Sequence, residues 1–415
     1  MQETLSHYFG YKSFRPGQEE IITKILNHQH TLGVLPTGGG KSICYQVPGL
    51  MQGGTTIVIS PLISLMKDQV DQLQAMGIQA AYLNSSLTHK QQKEIEEQIK
   101  RGAIQFLYVA PERFENTFFL NLLRKIEIPL IAFDEAHCIS KWGHDFRPSY
   151  QSVIQKVFTL PQNFTIVALT ATATAEVQQD IMSKLSIGQN DVVKTSTKRR
   201  NLIFKVNPTY QRQKFVVDYV ANHEGQAGII YCSTRKQVEE LHEALNSEKI
   251  KSTIYHAGLT NKERIEAQND FLYDRVEVVI ATNAFGMGID KSNVRYVIHY
   301  NMPGDLESYY QEAGRAGRDG LKSECILLFS ERDKGLHEYF ITVSQADDDY
   351  KDKMGEKLTK MIQYTKTKKC LEATIVHYFE PNENLEECNQ CSNCIQENKT
   401  YDMTREAKMI ISCIA

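Results

Sequence analysis

No stretch of this chain is apolar and long enough to span a bilayer. The most hydrophobic window, 55–66, is interrupted by Pro61 and falls far short of the roughly 20 residues a membrane helix needs. The opening MQETLSHYFGYKSF has no basic stretch followed by an apolar one, which predicts no secretory leader and a cytoplasmic protein. Positive charge is not in excess either: Lys+Arg is 47 against 50 Asp+Glu, a net charge of −3. A generally basic coat for a polyanion is therefore excluded, and such a partner has to be met by a local patch or a shaped cleft. Tryptophan occurs once, at Trp142. The nine cysteines form no evenly spaced framework of the disulfide type. Cys44, Cys138, Cys232 and Cys325 stand alone and read as buried small hydrophobes. Low-complexity tracts and heptad runs are absent. What is there, in 415 residues, is 41% hydrophobic and 23% charged, an ordinary globular balance for two or three domains.

Residues 30 to 330 alternate short apolar runs with longer amphipathic ones. The runs at 31–35, 56–59, 105–109, 130–133 and 166–169 show no period-2 alternation, as expected for strands buried on both faces. Helical patterns at 62–76 and 90–100 lie between them. This repetition predicts a mostly parallel sheet with helices on both sides. A second strand set follows at 228–231, 252–255, 276–280 and 294–298, with no sequence repeat relating the two. Between the sets, the polar and basic stretch 195–201 reads as a linker, placing the junction near 195–205. Its Lys198-Arg199-Arg200 run, like Lys366, Lys368 and Lys369, is a candidate phosphate contact, though a solvated face is the plainer reading. The fold class is α/β: two parallel-sheet lobes, then a small helical module.

Pro36-Thr37-Gly38-Gly39-Gly40-Lys41-Ser42 follows a strand and precedes a helical pattern. Consecutive glycines let backbone N–H groups approach phosphate oxygens, and the helix N-terminus adds its positive dipole end. Lys41 would reach the β/γ-phosphates and Ser42 would ligate Mg²⁺. A glycine-rich turn is the competing reading. Asp134-Glu135-Ala136-His137 ends a buried strand, where an NTPase needs a Mg²⁺-holding carboxylate (Asp134) and a water-activating base (Glu135). A helix N-cap would explain Asp134 but not the upstream loop. In the second half, Arg315 and Arg318 lie three apart and share a face on a helical turn. Gly314, Gly317 and Gly320 among them disfavour a plain surface helix. One triphosphate held by the first lobe needs positive charge from the far side of its cleft; Arg318 is the candidate finger and Arg315 a second γ-phosphate contact.

Between residues 138 and 148 runs Cys-Ile-Ser-Lys-Trp-Gly-His-Asp-Phe-Arg-Pro. Gly143 and Pro148 favour a loop. Trp142, His144, Phe146 and Arg147 suit base stacking and phosphate contact, each base–aromatic stack contributing about 1–3 kcal/mol. Burial in the core is the alternative, stronger for Phe146 than for Trp142. Further on, Cys370 precedes Cys388, Cys391 and Cys394, whose two-residue gaps suit a tetrahedral Zn²⁺. An iron–sulfur cluster uses similar spacing, and disulfides are disfavoured in a reducing compartment. Cys370 lies in a helical pattern over 361–378, which would pin that helix to the cysteine loop.

In order and spacing these segments resemble the DEAH-containing RecQ helicases of superfamily 2 over nearly the whole chain. Residues 14–20 (Phe-Arg-Pro-Gly-Gln-Glu-Glu) look like that family's adenine-reading segment. The resemblance implies that Tyr11 and Arg15 sandwich the base and Gln18 bonds its edge. Residues 37–42 resemble motif I, 60–65 motif Ia, 110–113 motif Ib, 134–137 motif II and 170–173 motif III. Residues 231–234, 281–290 and 311–318 resemble motifs IV, V and VI. The resemblance implies two RecA-like lobes, at 1–198 and 199–333, and a helical zinc-binding domain at 334–400. Residues 401–415 resemble the start of a winged-helix domain. It also implies ATP with Mg²⁺ and Zn²⁺, an aromatic-rich loop that reports DNA, and a 3′→5′ DNA helicase acting in recombination and repair. The implied partners are single-stranded DNA, duplex junctions and a single-stranded-DNA-binding protein, with no membrane; a nucleoid-associated monomer is expected. Two rival readings are an RNA-directed DEAH-box enzyme and a non-enzymatic annealing module with a decayed ATP site.

Overall fold

The computed structural model describes residues 1–61, 63–285, 291–383 and 386–395, with Ser412. Leu62 of motif Ia, residues 286–290 of motif V and nearly all of 401–415 lie outside the described residues.

Two sheets carry the chain. The first has seven strands: β1 (Thr31–Val34), β2 (Thr56–Ile59), β3 (Ala80–Leu83), β4 (Phe106–Val109), β5 (Leu130–Phe133), β6 (Thr165–Thr170) and β7 (Val192–Lys194). Their spatial order is β3-β4-β2-β5-β6-β1-β7, and every pairing is parallel. The second has six: β8 (Leu202–Pro208), β9 (Ala227–Tyr231), β10 (Ser252–Tyr255), β11 (Val278–Ala281), β12 (Val294–His299) and β13 (Ser323–Phe329). Their order is β10-β11-β9-β12-β13-β8, again all parallel.

Physical cause and outcome agree for the central strands. Every residue of β1, β2, β4 and β5 is buried, because helices cover both faces. Full burial of each Leu, Ile, Val or Phe contributes about 1.5–3 kcal/mol, which ties register to these runs. Four strands escape the sequence pattern. β3 is Ala-Ala-Tyr-Leu and β7 has three residues, both too short to show a period. β13 opens on Ser-Glu, and β8 is an edge strand of alternating burial. Because β8 begins at Leu202, the joining segment is shorter than 195–205.

Behind the second sheet packs a helical module built from Glu331–Val343, Asp348–Lys366, Leu371–Phe379 and Ser392–Ile395. The helix read across 361–378 is in fact two. The first ends at Lys366, and Cys370 is the N-cap of the second, its sulfur accepting from Ala373 N at 3.5 Å. Cys370 thus starts a helix rather than sitting within one. Among the described residues no helix is long and apolar enough to cross a membrane.

Candidate nucleotide site and its neighbours

In a parallel sheet, ligands meet the loops leaving the carboxyl ends of strands. The loop after β1 holds Thr37 to Ser42, and the loop after β5 holds Asp134 and Glu135. β6 lies between β5 and β1, so its end stands beside both. Gly38 and Gly40 have φ of 77° and 73°, a region where a side chain would strain the turn. The Ile43–Gln52 helix follows directly.

A cavity of about 410 Å³ opens here. It is lined by Tyr11, Arg15, Gln18, Thr37, Gly38, Gly40, Lys41 and Ser42, by Asp134 and Glu135, and by Arg315 and Arg318 of the second lobe. Of the residues the sequence nominates for nucleotide and catalysis, only Gly39 is not in its wall. Its N–H turns back to Pro36 O at 2.9 Å. Gln18 Nε2 donates to the carbonyls of Gly39 and Gly40 at 3.1 and 2.9 Å, and Gln18 Oε1 accepts from Arg15 N at 2.8 Å. Arg15 donates to Gly38 O. Tyr11 lies in the cavity wall and is exposed, at 53%.

The acidic pair is unusual. Glu135 has φ 48° and ψ 50°, left-handed for a residue with a side chain, and such outliers cluster at functional sites. Glu135 N donates to Asp134 Oδ1 at 3.0 Å. Burial, then the neighbouring Glu135 carboxylate, pushes the Asp134 carboxyl up, while Lys41 pulls it down. A divalent cation there would invert that balance. Glu135 Oε2, Thr37 Oγ1 and Arg315 Nε are buried without hydrogen-bond partners, although Glu135 Oε2 approaches His137 Nδ1 to 3.4 Å. Orphaned groups of both signs around one cavity fit a phosphate-bearing ligand with its cation. Ser42 and Asp134 are the residues that would hold Mg²⁺.

Beside Glu135, His137 is fully buried and its Nδ1 lies 3.1 Å from Thr170 Oγ1 at the end of β6. Burial holds it well below the usual imidazole range, with His144 next in effect. His137 is therefore neutral. His144 stacks on it, centroids 4.1 Å apart, and reaches Gln311 Oε1 of the second lobe at 2.9 Å. Gln311 also lines the cavity.

The four nominated loop residues have different neighbours. Trp142 is half-buried against the first-lobe core, with the ammonium groups of Lys141 and Lys353 at 5.3 and 5.9 Å from its ring. Arg147 spends its guanidinium on Asp145 and on Pro61 O at 2.8 Å. Phe146 is half-buried. Helix 348–366 braces the loop: Lys357 Nζ donates to Trp142 O at 2.8 Å and pairs with Glu307 at 2.9 Å, and Lys141 pairs with Asp347 at 2.8 Å.

Three segments match family models, described as DEAD/DEAH box helicase over 15–181, helicase conserved C-terminal domain over 211–320 and RecQ zinc-binding over 331–395. The chain is 48% identical over its full length to the ATP-dependent DNA helicase RecQ of Bacillus subtilis, covering 70% of that protein. This chain belongs to the RecQ family. A RecQ helicase of Haemophilus influenzae is 42% identical over 99% of this chain, which spans 66% of it. Among solved structures, Saccharomyces cerevisiae Dbp5 bound to RNA and ADP BeF3 is similar in fold, with a TM-score of 0.66 at 18% identity. That match covers 86% of this chain and 97% of the other.

As a RecQ-family member the chain carries a helicase core that uses ATP with Mg²⁺, and its cysteine cluster is a Zn²⁺ site. The geometry suits that ion. The sulfurs of Cys370, Cys388, Cys391 and Cys394 all lie within 4.8 Å of one another, with separations of 3.4, 3.9 and 4.0 Å. A tetrahedral ion with Zn–S bonds of about 2.3 Å sets its sulfurs about 3.8 Å apart. Backbone N–H groups of Leu371, Cys388 and Cys391 point at these sulfurs, as thiolates require.

Sequence reasoning missed Arg199. The plainer reading put it on a solvated face; instead it is largely withdrawn from solvent beside the cavity, bonded to backbone carbonyls of both lobes. No motif marks it, since a basic run in a linker carries no periodicity.

Proposed function

We propose that this RecQ-family chain couples ATP hydrolysis to 3′→5′ movement along single-stranded DNA and to opening of duplex junctions, in recombination and repair. The observation that carries the reading is one cavity lined from both lobes, by Lys41, Asp134 and Glu135 on one side and Arg315 and Arg318 on the other. Tyr11 and Arg15 sandwich the adenine and Gln18 bonds its edge. The backbone of Thr37, Gly38, Gly39 and Gly40 cradles the phosphates, and Lys41 grips the β/γ oxygens. Ser42 and Asp134 would hold Mg²⁺, and the chemistry such an ion would supply there is neutralisation of phosphate charge. Glu135 orients and deprotonates the attacking water. Arg318 meets the transition-state charge, a role worth about 10³–10⁵ in rate, and Arg315 contacts the γ-phosphate.

Closure of the lobes on ATP completes the site, and loss of the γ-phosphate releases it. Strand engagement by Trp142, His144, Phe146 and Arg147 is transmitted to Glu135 by the short run of chain between them. Direction, pathway and action on junctions rest on family membership, and the relatives are longer than this chain. The protein works as a monomer in the cytoplasm, at the nucleoid, with a single-stranded-DNA-binding protein as a partner.

The test is steady-state ATPase with and without single-stranded DNA, with an RNA strand in parallel and Glu135→Gln as control. DNA stimulation that exceeds RNA stimulation and vanishes in Glu135→Gln supports the reading. A Glu135→Gln protein turning over at the wild-type rate overturns it.

A further inference from the structure

We propose that Arg199 is a positioning residue for the second-lobe arginines, and that the Gln390 amide beside the zinc thiolates holds it in place. The inference rests on the ATPase reading above and deepens it. Arg199 lies in the segment joining the two sheets. Its Nη1 donates to Thr37 O at 2.8 Å, in the phosphate loop of the first lobe. Its Nη2 donates to Ala316 O and Gly317 O at 3.1 and 2.9 Å, in the turn that carries Arg315 and Arg318. Its Nε donates to Asn201 Oδ1 at 3.2 Å. One planar group therefore ties together the two loops that face each other across the phosphate position.

The segment is gripped from behind. Gln390 stands between Cys388 and Cys391, and its Nε2 donates to Arg200 O at 2.9 Å and Leu202 O at 3.2 Å. On the other side, Thr197 N donates to Glu380 Oε1 at 2.8 Å, and the Tyr310 hydroxyl donates to Thr197 O. Asn201 Nδ2 adds a bond to Gly317 O at 2.8 Å. The zinc module thus fixes the backbone on both sides of Arg199, and Arg199 fixes the turn bearing the arginines. A guanidinium is required because its rigid fork aims donors in two directions at once, which an ammonium cannot do.

A finger acts through placement, and misplacement by about 1 Å costs about 10²-fold in rate. Loss of the fork should therefore lower kcat with little change in ATP affinity. The experiment uses the full chain with single-stranded DNA and compares wild type, Arg199→Lys, Gln390→Ala and the double variant. The readouts are kcat and KM for ATP, binding of a fluorescent non-hydrolysable ATP analogue, zinc content and melting temperature. Arg199→Lys keeps the charge, so it isolates geometry. It should lower kcat about 10²-fold while analogue binding stays within about threefold and zinc and melting are those of wild type. Gln390→Ala should lower kcat about tenfold with zinc retained, and the double variant should be no worse than Arg199→Lys, since the two act through one path. An Arg199→Lys protein with wild-type kcat overturns the proposal. So does a fall in melting temperature with unchanged kcat and additive effects, which a purely structural role predicts. If the wild type itself shows no ATP turnover, the functional reading fails too; an active wild type beside an equally active Arg199→Lys sinks this inference alone.

Discussion

The Lys357 ammonium lies 2.8 Å from the carbonyl oxygen of Trp142. The same ammonium is 2.9 Å from Glu307, and both side chains are almost fully buried, at 6% and 3% exposure. One lysine from the zinc module thus joins the aromatic loop of the first lobe to the Leu306–Ala313 helix of the second.

Lys357→Met should destabilise the fold by about 3 kcal/mol, because it leaves a buried carboxylate unpaired. The deficit should depend on pH. Burial, then Asp305, already pushes the Glu307 carboxyl up, with Lys357 opposing, and Tyr378 also faces it. Removing Lys357 raises it further. A carboxyl whose folded value exceeds its unfolded value of about 4.3 loses stability as pH rises. The deficit measured by urea denaturation should therefore be larger at pH 8 than at pH 5, and Lys357→Met/Glu307→Gln should recover much of it. Equal deficits at both pH values would refute this.

Gly314→Ala tests lobe contact directly. A Cβ at Gly314 would stand 3.1 Å from the Thr37 Cβ and from Tyr310 O, so the second lobe must back away from the phosphate loop. About tenfold lower kcat is expected, within the cost of a 1 Å misplacement, with melting near that of wild type. Unchanged turnover would show that the two loops need not approach so closely.

Trp142→Ala should keep ATP binding and lose most DNA stimulation of hydrolysis. Stacking on Trp142 competes with Lys141 and Lys353, whose ammonium groups now sit near its ring. DNA-stimulated rates equal to wild type would count decisively against a reporting role.

Cys391→Ser should release zinc and unfold the cysteine module rather than merely slow catalysis, since a structural zinc site contributes roughly 10–16 kcal/mol of apparent folding free energy. Metal analysis with hydrogen exchange over 370–395 is the measurement. Iron in the wild type, or an intact module without metal, would contradict the assignment.

The strands that place the site were legible because burial on both faces forces continuous apolar runs, as at Leu130–Phe133. The cavity residues were legible because phosphate chemistry restricts which residues serve. Arg199, Gln390 and Lys357 were not. Each acts through a contact more than a hundred residues away in sequence, and no local pattern announces such a pair. For His144 and Arg147 the composition suited nucleic acid, but no local pattern foretold their contacts with Gln311 and Pro61 O, 167 and 86 residues away.

The left-handed backbone at Glu135 has a further consequence. An L-residue there sits about 1–2 kcal/mol above its relaxed geometry. The neighbouring His137–Thr170 contact ties the following turn to the end of β6. Slackening at that strand end would let the peptide swing to ordinary angles and turn the carboxylate aside. Where Glu135 serves as the proposed base, its aim is thus imposed by the surrounding sheet and not by the preference of its own backbone.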